Sequence, residues 1–188
     1  MGKRFLVIGA VMVFFFGLTV RTDAEVPGRE LVKNGGFDGG TSGWTAYNVT
    51  WITDDGVTSK GCAEIKTPKE GVPASYVLQD IPVIGGKEYQ LTLFYKVMND
   101  YLSLPFYYWN DSSGTPIKDV KIIKNDGSED YTSTHNFTSY LRSKEWREYT
   151  ERLIAPNNAV SLRIQLTAQS EESILRVEDV SLRQWQKE

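Results

Sequence analysis

The chain has 188 residues, of which 40% are hydrophobic, 12% aromatic and 24% charged. Setting aside residues 1–24 removes Lys3, Arg4, Arg21 and Asp23, so 164 residues remain with 18 basic and 23 acidic side chains, a net charge of −5. That balance disfavours a nucleic-acid binder, which needs a basic face to displace counterions, and the length suits one domain that buries about 70% of its unfolded surface without help from a metal or disulfide.

Residues 1–24 read as a secretory leader. Lys3 and Arg4 precede an apolar run from Phe5 to Val20, and Thr22-Asp23-Ala24 places small residues before the cut. The run is short for a bilayer, and no later segment resembles a second span. The remaining chain, residues 25–188, is therefore expected as a single domain, secreted or periplasmic, monomeric and without a stable membrane span. Cys62 is the only cysteine, so no internal disulfide can form, and its apolar neighbours predict a small buried hydrophobe.

No helical stripe of useful length follows. In chain order, short runs occur at Val49–Thr53, Cys62–Lys66, Tyr76–Val83, Tyr89–Val97, Leu102–Trp109, Ile117–Ile123, Arg147–Ala155, Val160–Thr167 and Ile174–Leu182. Turn chemistry divides them at Asp54-Asp55-Gly56, Gly85-Gly86, Asn110–Gly114, Asn125-Asp126-Gly127 and Pro156-Asn157-Asn158. Roughly nine runs with turn signals every 8–12 residues predict an all-β, two-sheet antiparallel β-sandwich. Lys124–Lys144 is polar and reads as a long surface loop.

A period of two assigns faces along each run. Tyr89, Leu91 and Leu93 point to the core, as do the aliphatics of Val160–Leu166, which leaves Arg163 and Gln165 outside. Val77, Gln79, Ile81 and Val83 share one phase, so Tyr76 and Leu78 lie on the outer face. Tyr149 and Leu153 inward put Arg152 opposite. Taking Leu104, Phe106 and Tyr108 as inward points Tyr107 and Trp109 out.

Ordered motifs then carry a resemblance. Leu31-Val32-Lys33-Asn34-Gly35-Gly36-Phe37-Asp38 with Gly43-Trp44 opens the set, followed by Trp51–Gly56 and Lys60–Ile65. Gln79–Val83, Gly86–Lys96, Glu145–Tyr149, Ala155-Pro156 and Val177–Leu182 continue it over about 150 residues. This order resembles carbohydrate-binding modules of families 4 and 9. The resemblance implies a galactose-binding-like jelly roll with glycan bound across a sheet or at its loop edge. It also implies a structural calcium ion, carried over by position to Asp38, the carbonyl of Lys60, and Glu178 or Asp179. Two departures stand out: Glu178 replaces the usual Asp, and the Lys124–Lys144 loop is long.

Sugar C–H faces pack on aromatic rings, and their hydroxyls need planar donors and acceptors. Tyr76, Tyr107, Trp109, Arg152, Arg163 and Gln165 fit that recipe if their strands share one sheet, and they are the expected ligand-binding set. No catalytic residue is assigned. His135, the only histidine, lies in the polar loop, and no Gly-x-Ser-x-Gly elbow exists. A glycosidase needs two carboxylates across one cleft, which the sequence does not place. The expected partner is a polysaccharide or oligosaccharide. The alternatives are a small polysaccharide-active hydrolase or lyase on a jelly roll, and a protein-interaction domain. Asn48-Val49-Thr50, Asn110-Asp111-Ser112 and Asn136-Phe137-Thr138 match the glycosylation acceptor pattern.

Overall fold

The structure, a computed structural model, describes residues 26–58, 61–69, 74–99, 103–118, 120–123, 129–132 and 141–186. The leader expected at 1–24, Lys60, His135 and Asn136 lie outside the described residues.

The described residues form twelve strands. In order they are β1 (Val26–Glu30), β2 (Thr45–Tyr47), β3 (Val49–Thr53), β4 (Gly61–Lys66), β5 (Ser75–Pro82) and β6 (Glu88–Val97). They continue with β7 (Ser103–Asn110), β8 (Val120–Ile123), β9 (Glu129–Thr132), β10 (Arg147–Ile154), β11 (Ser161–Ala168) and β12 (Ile174–Gln186). One sheet runs β10-β6-β12-β4-β3, with β1 added alongside β12; the second runs β2-β5-β11-β7. All described pairings are antiparallel. The fold is a two-sheet β-sandwich. The long polar loop is shorter than its composition predicts, because Glu129–Thr132 pairs with Val120–Ile123 as a hairpin.

Alternation decides what each sheet buries. From the larger sheet, Ala63, Ile65, Leu91, Leu93, Leu153 and Val177 face the core; from the smaller, Val77, Ile81, Leu162, Ile164 and Leu166 meet them. Cys62 is fully buried, and burial pushes its thiol up to about 12, which keeps it an unreactive hydrophobe. In β12 the inward phase switches from Leu175 and Val177 to Val180 and Leu182. A bulge causes the switch: Glu178 faces Phe94 of β6 while Ser181 faces Thr92, so β12 carries one extra residue. Asp179, inside the bulge, has φ 48°, a left-handed conformation that Asp tolerates.

The Asn-Gly-Gly-Phe segment packs against the middle of β12. Its Gly35 presses so closely on β12 that a Cβ there would sit 1.9 Å from the Val180 carbonyl oxygen. Asn34 accepts a hydrogen bond from Trp44 Nε1 at 3.0 Å and donates to the carbonyls of Gly40 and Ser42. Phe37 and Trp44 pack with ring centroids 5.2 Å apart. Buried Gln79 accepts from the Lys33 amide and donates to the carbonyls of Lys33 and Gly43, at 2.9–3.0 Å. These motif residues are structural.

Glu30 ties β1 to β12. Its carboxylate accepts the amides of Leu31, Val32 and Leu182, the Ser181 hydroxyl and Arg183 Nε. Burial alone would raise its pKa, but the donors led by Ser181 outweigh burial and hold it below the usual carboxylate range. A depressed folded-state pKa adds stability above the unfolded value, and that stability is lost as pH falls through the folded pKa. Glu30→Gln is therefore expected to melt below the unaltered protein at neutral pH, with the gap closing below about pH 4. Melting curves of both proteins across that range check it.

Candidate functional site

The outer face of the β2-β5-β11-β7 sheet gathers a set of partly exposed aromatic and planar polar side chains. Its order follows from register. Opposite Arg163 of β11 stand Asp80 on one side and Tyr108 on the other; opposite Gln165 stand Leu78 and Phe106. Tyr76 faces Thr167, and Tyr47 of β2 faces Tyr76. The Tyr47 and Tyr76 rings lie 6.0 Å apart and tilted by 31°, with Tyr47 39% exposed at the edge.

Arg163 organises the middle of this platform. Its Nε and one terminal nitrogen donate to the two oxygens of Asp80, both at 2.8 Å. That two-point pair fixes the guanidinium plane, and the hydrogen bond to Asp80 is the main reason the Arg163 pKa rises further. Burial holds the Tyr108 hydroxyl above its ordinary pKa, with Arg163 opposing the effect. Gln165 donates to Thr167 Oγ1 at 3.2 Å, which orients its amide. Beyond β2 the face opens into a cavity of about 300 Å³ lined by Leu78, Asp80, Pro82, Thr45 and Lys33 among others. Four strands spaced about 4.8 Å apart give the platform a width of about 14 Å, which admits an extended ligand.

Three of the six expected ligand-binding residues, Tyr76, Arg163 and Gln165, meet on this face. The other three do not. Tyr107 and Trp109 are each only 2% exposed, so the phase expected for β7 is inverted. They pair with Ile164 and Leu162 of β11, both core residues, whereas Phe106 and Tyr108 take the outer phase. Trp109 packs in the core beside Tyr89 and Tyr107, with centroids 6.2 and 6.5 Å away. Tyr107 donates to Glu151 Oε1 at 3.0 Å, and burial followed by the Glu151 charge pushes its hydroxyl far above the ordinary value. Arg152 is exposed but belongs to β10, on the outer face of the other sheet. There it pairs with Glu88 and lies 5.2 Å from the Trp185 ring centroid.

Phe106, Tyr108 and Tyr47 complete the platform. The first two were concealed because aromatics occupy both phases of Phe106–Trp109. The clean alternation of β11, read across the register, is the signal that could have placed them. Tyr47 sits on a three-residue strand too short to show any period.

The acceptor-pattern asparagines divide similarly. Asn48 is exposed at the β2–β3 turn, whereas Asn110 is 7% exposed and its amide donates to Ser161 Oγ.

For the implied calcium ion, the decisive residue is Glu178. It is fully buried, yet its carboxylate is turned onto the 57–58 backbone: Oε2 accepts the Val57 amide at 2.6 Å, and Oε1 accepts the Thr58 amide at 2.7 Å and hydroxyl at 3.1 Å. Asp38 and Asp179 approach each other around Gly36, where a Cβ would lie 3.3 and 3.2 Å from their oxygens. Burial, then the charges of Glu178 and Asp38, hold the Asp179 carboxyl above its ordinary pKa. Among the described residues no group of three or more His, Cys, Asp or Glu is gathered to hold a metal. With Glu178 turned onto the 57–58 backbone, Asp38 and Asp179 are the carboxylates of the implied set that remain around Gly36, against the six to eight oxygens of a calcium shell.

With this geometry in hand, solved structures identify the architecture. A family 16 carbohydrate-binding module superposes with a TM-score of 0.59 at 11% identity, over 81% of this chain and 98% of that one. The fold is a jelly-roll β-sandwich of the kind this module adopts. A family 22 xylan-binding domain from Paenibacillus barcinonensis matches with a TM-score of 0.55 and 11% identity, over 86% of this chain and 97% of that one. The enzymatically active domain of a bacteriophage CBA120 tailspike protein gives a TM-score of 0.61 at 18% identity, over 82% of this chain but 21% of that one. No family model matches the chain, and no curated protein matches its sequence. The resemblance to carbohydrate-binding modules thus holds at the level of fold, while membership of families 4 and 9 in particular is not established by these structures.

Proposed function

We propose that the chain is an exported, non-catalytic carbohydrate-binding protein that seats a polysaccharide or oligosaccharide on the outer face of the β2-β5-β11-β7 sheet. The observation that carries this reading is the convergence of Tyr47, Tyr76, Phe106 and Tyr108 around the Arg163–Asp80 pair and Gln165. The rings offer stacking surface for sugar C–H faces, and the fixed guanidinium and amide offer donors for hydroxyls. Support also comes from modules of the same fold whose names record carbohydrate ligands, a xylan-binding domain and a module complexed with β-1,4-galactotriose. Export rests on the leader pattern at 1–24, and a monomeric state completes the proposal.

Two other readings are separated by one pair of assays. For a hydrolase, two carboxylates must flank the scissile bond, and Asp80 is the only carboxylate among the described residues of this face. A glycan array with a reducing-sugar release assay tests the proposal: binding without release supports it, release of sugar ends overturns the non-catalytic reading, and silence in both favours a protein-contact role. Arg163→Lys keeps the charge but loses the two-point geometry. It is expected to weaken glycan binding by about tenfold while changing stability by less than about 1 kcal/mol, as exposed ion pairs do. Titration and thermal melting of the variant check both halves.

A further inference from the structure

The turn at 54–58 is held to the last strand of the sandwich by side chains on both flanks. On one flank Asp55 pairs with Arg176 of β12, with Lys96 of β6 at 3.5 Å, and accepts Trp146 Nε1 at 3.3 Å. On the other, Glu178 accepts the two amides and the hydroxyl of Val57 and Thr58. An ionised carboxylate has about four lone-pair directions, and these donors occupy three of them. A metal ligand must instead direct its lone pairs at the ion. Glu178 stands one methylene further from the backbone than the Asp of the resembled modules, and its carboxylate reaches the 57–58 amides directly.

We propose that Glu178 replaces the structural calcium of those modules with an internal carboxylate staple, so that folding of this chain is independent of divalent metal. The bulge at Glu178–Ser181 supports this assignment, because it seats the carboxylate under the turn while Val177 and Val180 both keep their core positions. The Asp38–Asp179 pair supplies two carboxylates around Gly36, and a cation bound there is the result that would defeat the proposal.

The test uses the purified full chain, melted in chelator and again in millimolar calcium, with elemental analysis alongside. The expected result is equal melting temperatures within about 1 °C and no stoichiometric calcium, since an ion that binds only the native state at a hundredfold excess over Kd shifts melting by about 5 °C or more. Glu178→Gln presents amide hydrogens to the Val57 or Thr58 donors, and it is expected to melt roughly 5 °C or more below the unaltered protein in either buffer, or to fail to fold. Thr58→Val removes only the hydroxyl donor and should lower melting less, again equally in both buffers. Chelator-sensitive melting of the unaltered protein with one bound calcium overturns the proposal, as does Glu178→Gln melting with the unaltered protein.

Discussion

Trp109→Ala is expected to destabilise the fold by about 3–5 kcal/mol, the range for truncating a large buried aromatic. The ring lies between the two sheets beside Tyr89 and Tyr107, and its β11 neighbour Leu162 is fully buried. Removing it leaves a cavity that the surrounding strands cannot close without breaking their ladders. Denaturant unfolding checks the size of the loss. An equal melting point for the variant would mean that β7 faces the other way and that Trp109 belongs to the surface. Tyr107→Phe is the finer probe. It keeps the packing and removes only the hydroxyl that Glu151 accepts, so about 1–3 kcal/mol is expected from the carboxylate left short of a donor.

In β11 the aliphatic residues fall on one phase only, and in β5 and β6 Val77, Ile81, Leu91 and Leu93 mark the core phase, so the core face and the outward positions of Tyr76, Leu78, Arg163 and Gln165 are legible without coordinates. In β7 the run Pro-Phe-Tyr-Tyr-Trp is apolar on both phases, and a period of two carries no information when both alternatives are hydrophobic. Alternation puts Arg152 on the solvent face of its own strand, but that strand lies on the other side of the molecule from the platform. Alternation assigns a side chain to the core or to solvent; it does not say which sheet a strand joins, and β10 lies beside β6 rather than β11. Glu178 was visible as a departure from Asp, but only the bulge and the 57–58 turn show what its extra methylene reaches.

Glycan affinity is expected to fall by about 10–100-fold in Tyr76→Ala and in Tyr108→Ala, the loss of about 1–3 kcal/mol that follows removal of an aromatic anchor from a binding surface. Both rings are partly exposed on the outer face, on strands whose core residues lie on the opposite phase. Stability should therefore change by less than about 1 kcal/mol. The two rings stand on the strands either side of β11, Tyr108 opposite Arg163 and Tyr76 opposite Thr167, so a sugar chain lying obliquely across the sheet would meet both, and their joint removal should cost more than either alone. Tyr47→Ala is expected to act mainly with Tyr76, because its ring is 6.0 Å from that one at the outer edge of β2. Arg152→Ala supplies the control. Its side chain stands on the β10-β6-β12 face against Glu88 and Trp185, so affinity should be unchanged if the platform is the site. Isothermal titration with the glycan found by the array, run on the four single variants and the double variant beside their melting curves, separates the cases. If Arg152→Ala abolished binding while Tyr76→Ala and Tyr108→Ala bound normally, the ligand would lie on the six-stranded sheet, and the aromatic platform would be a surface without a partner.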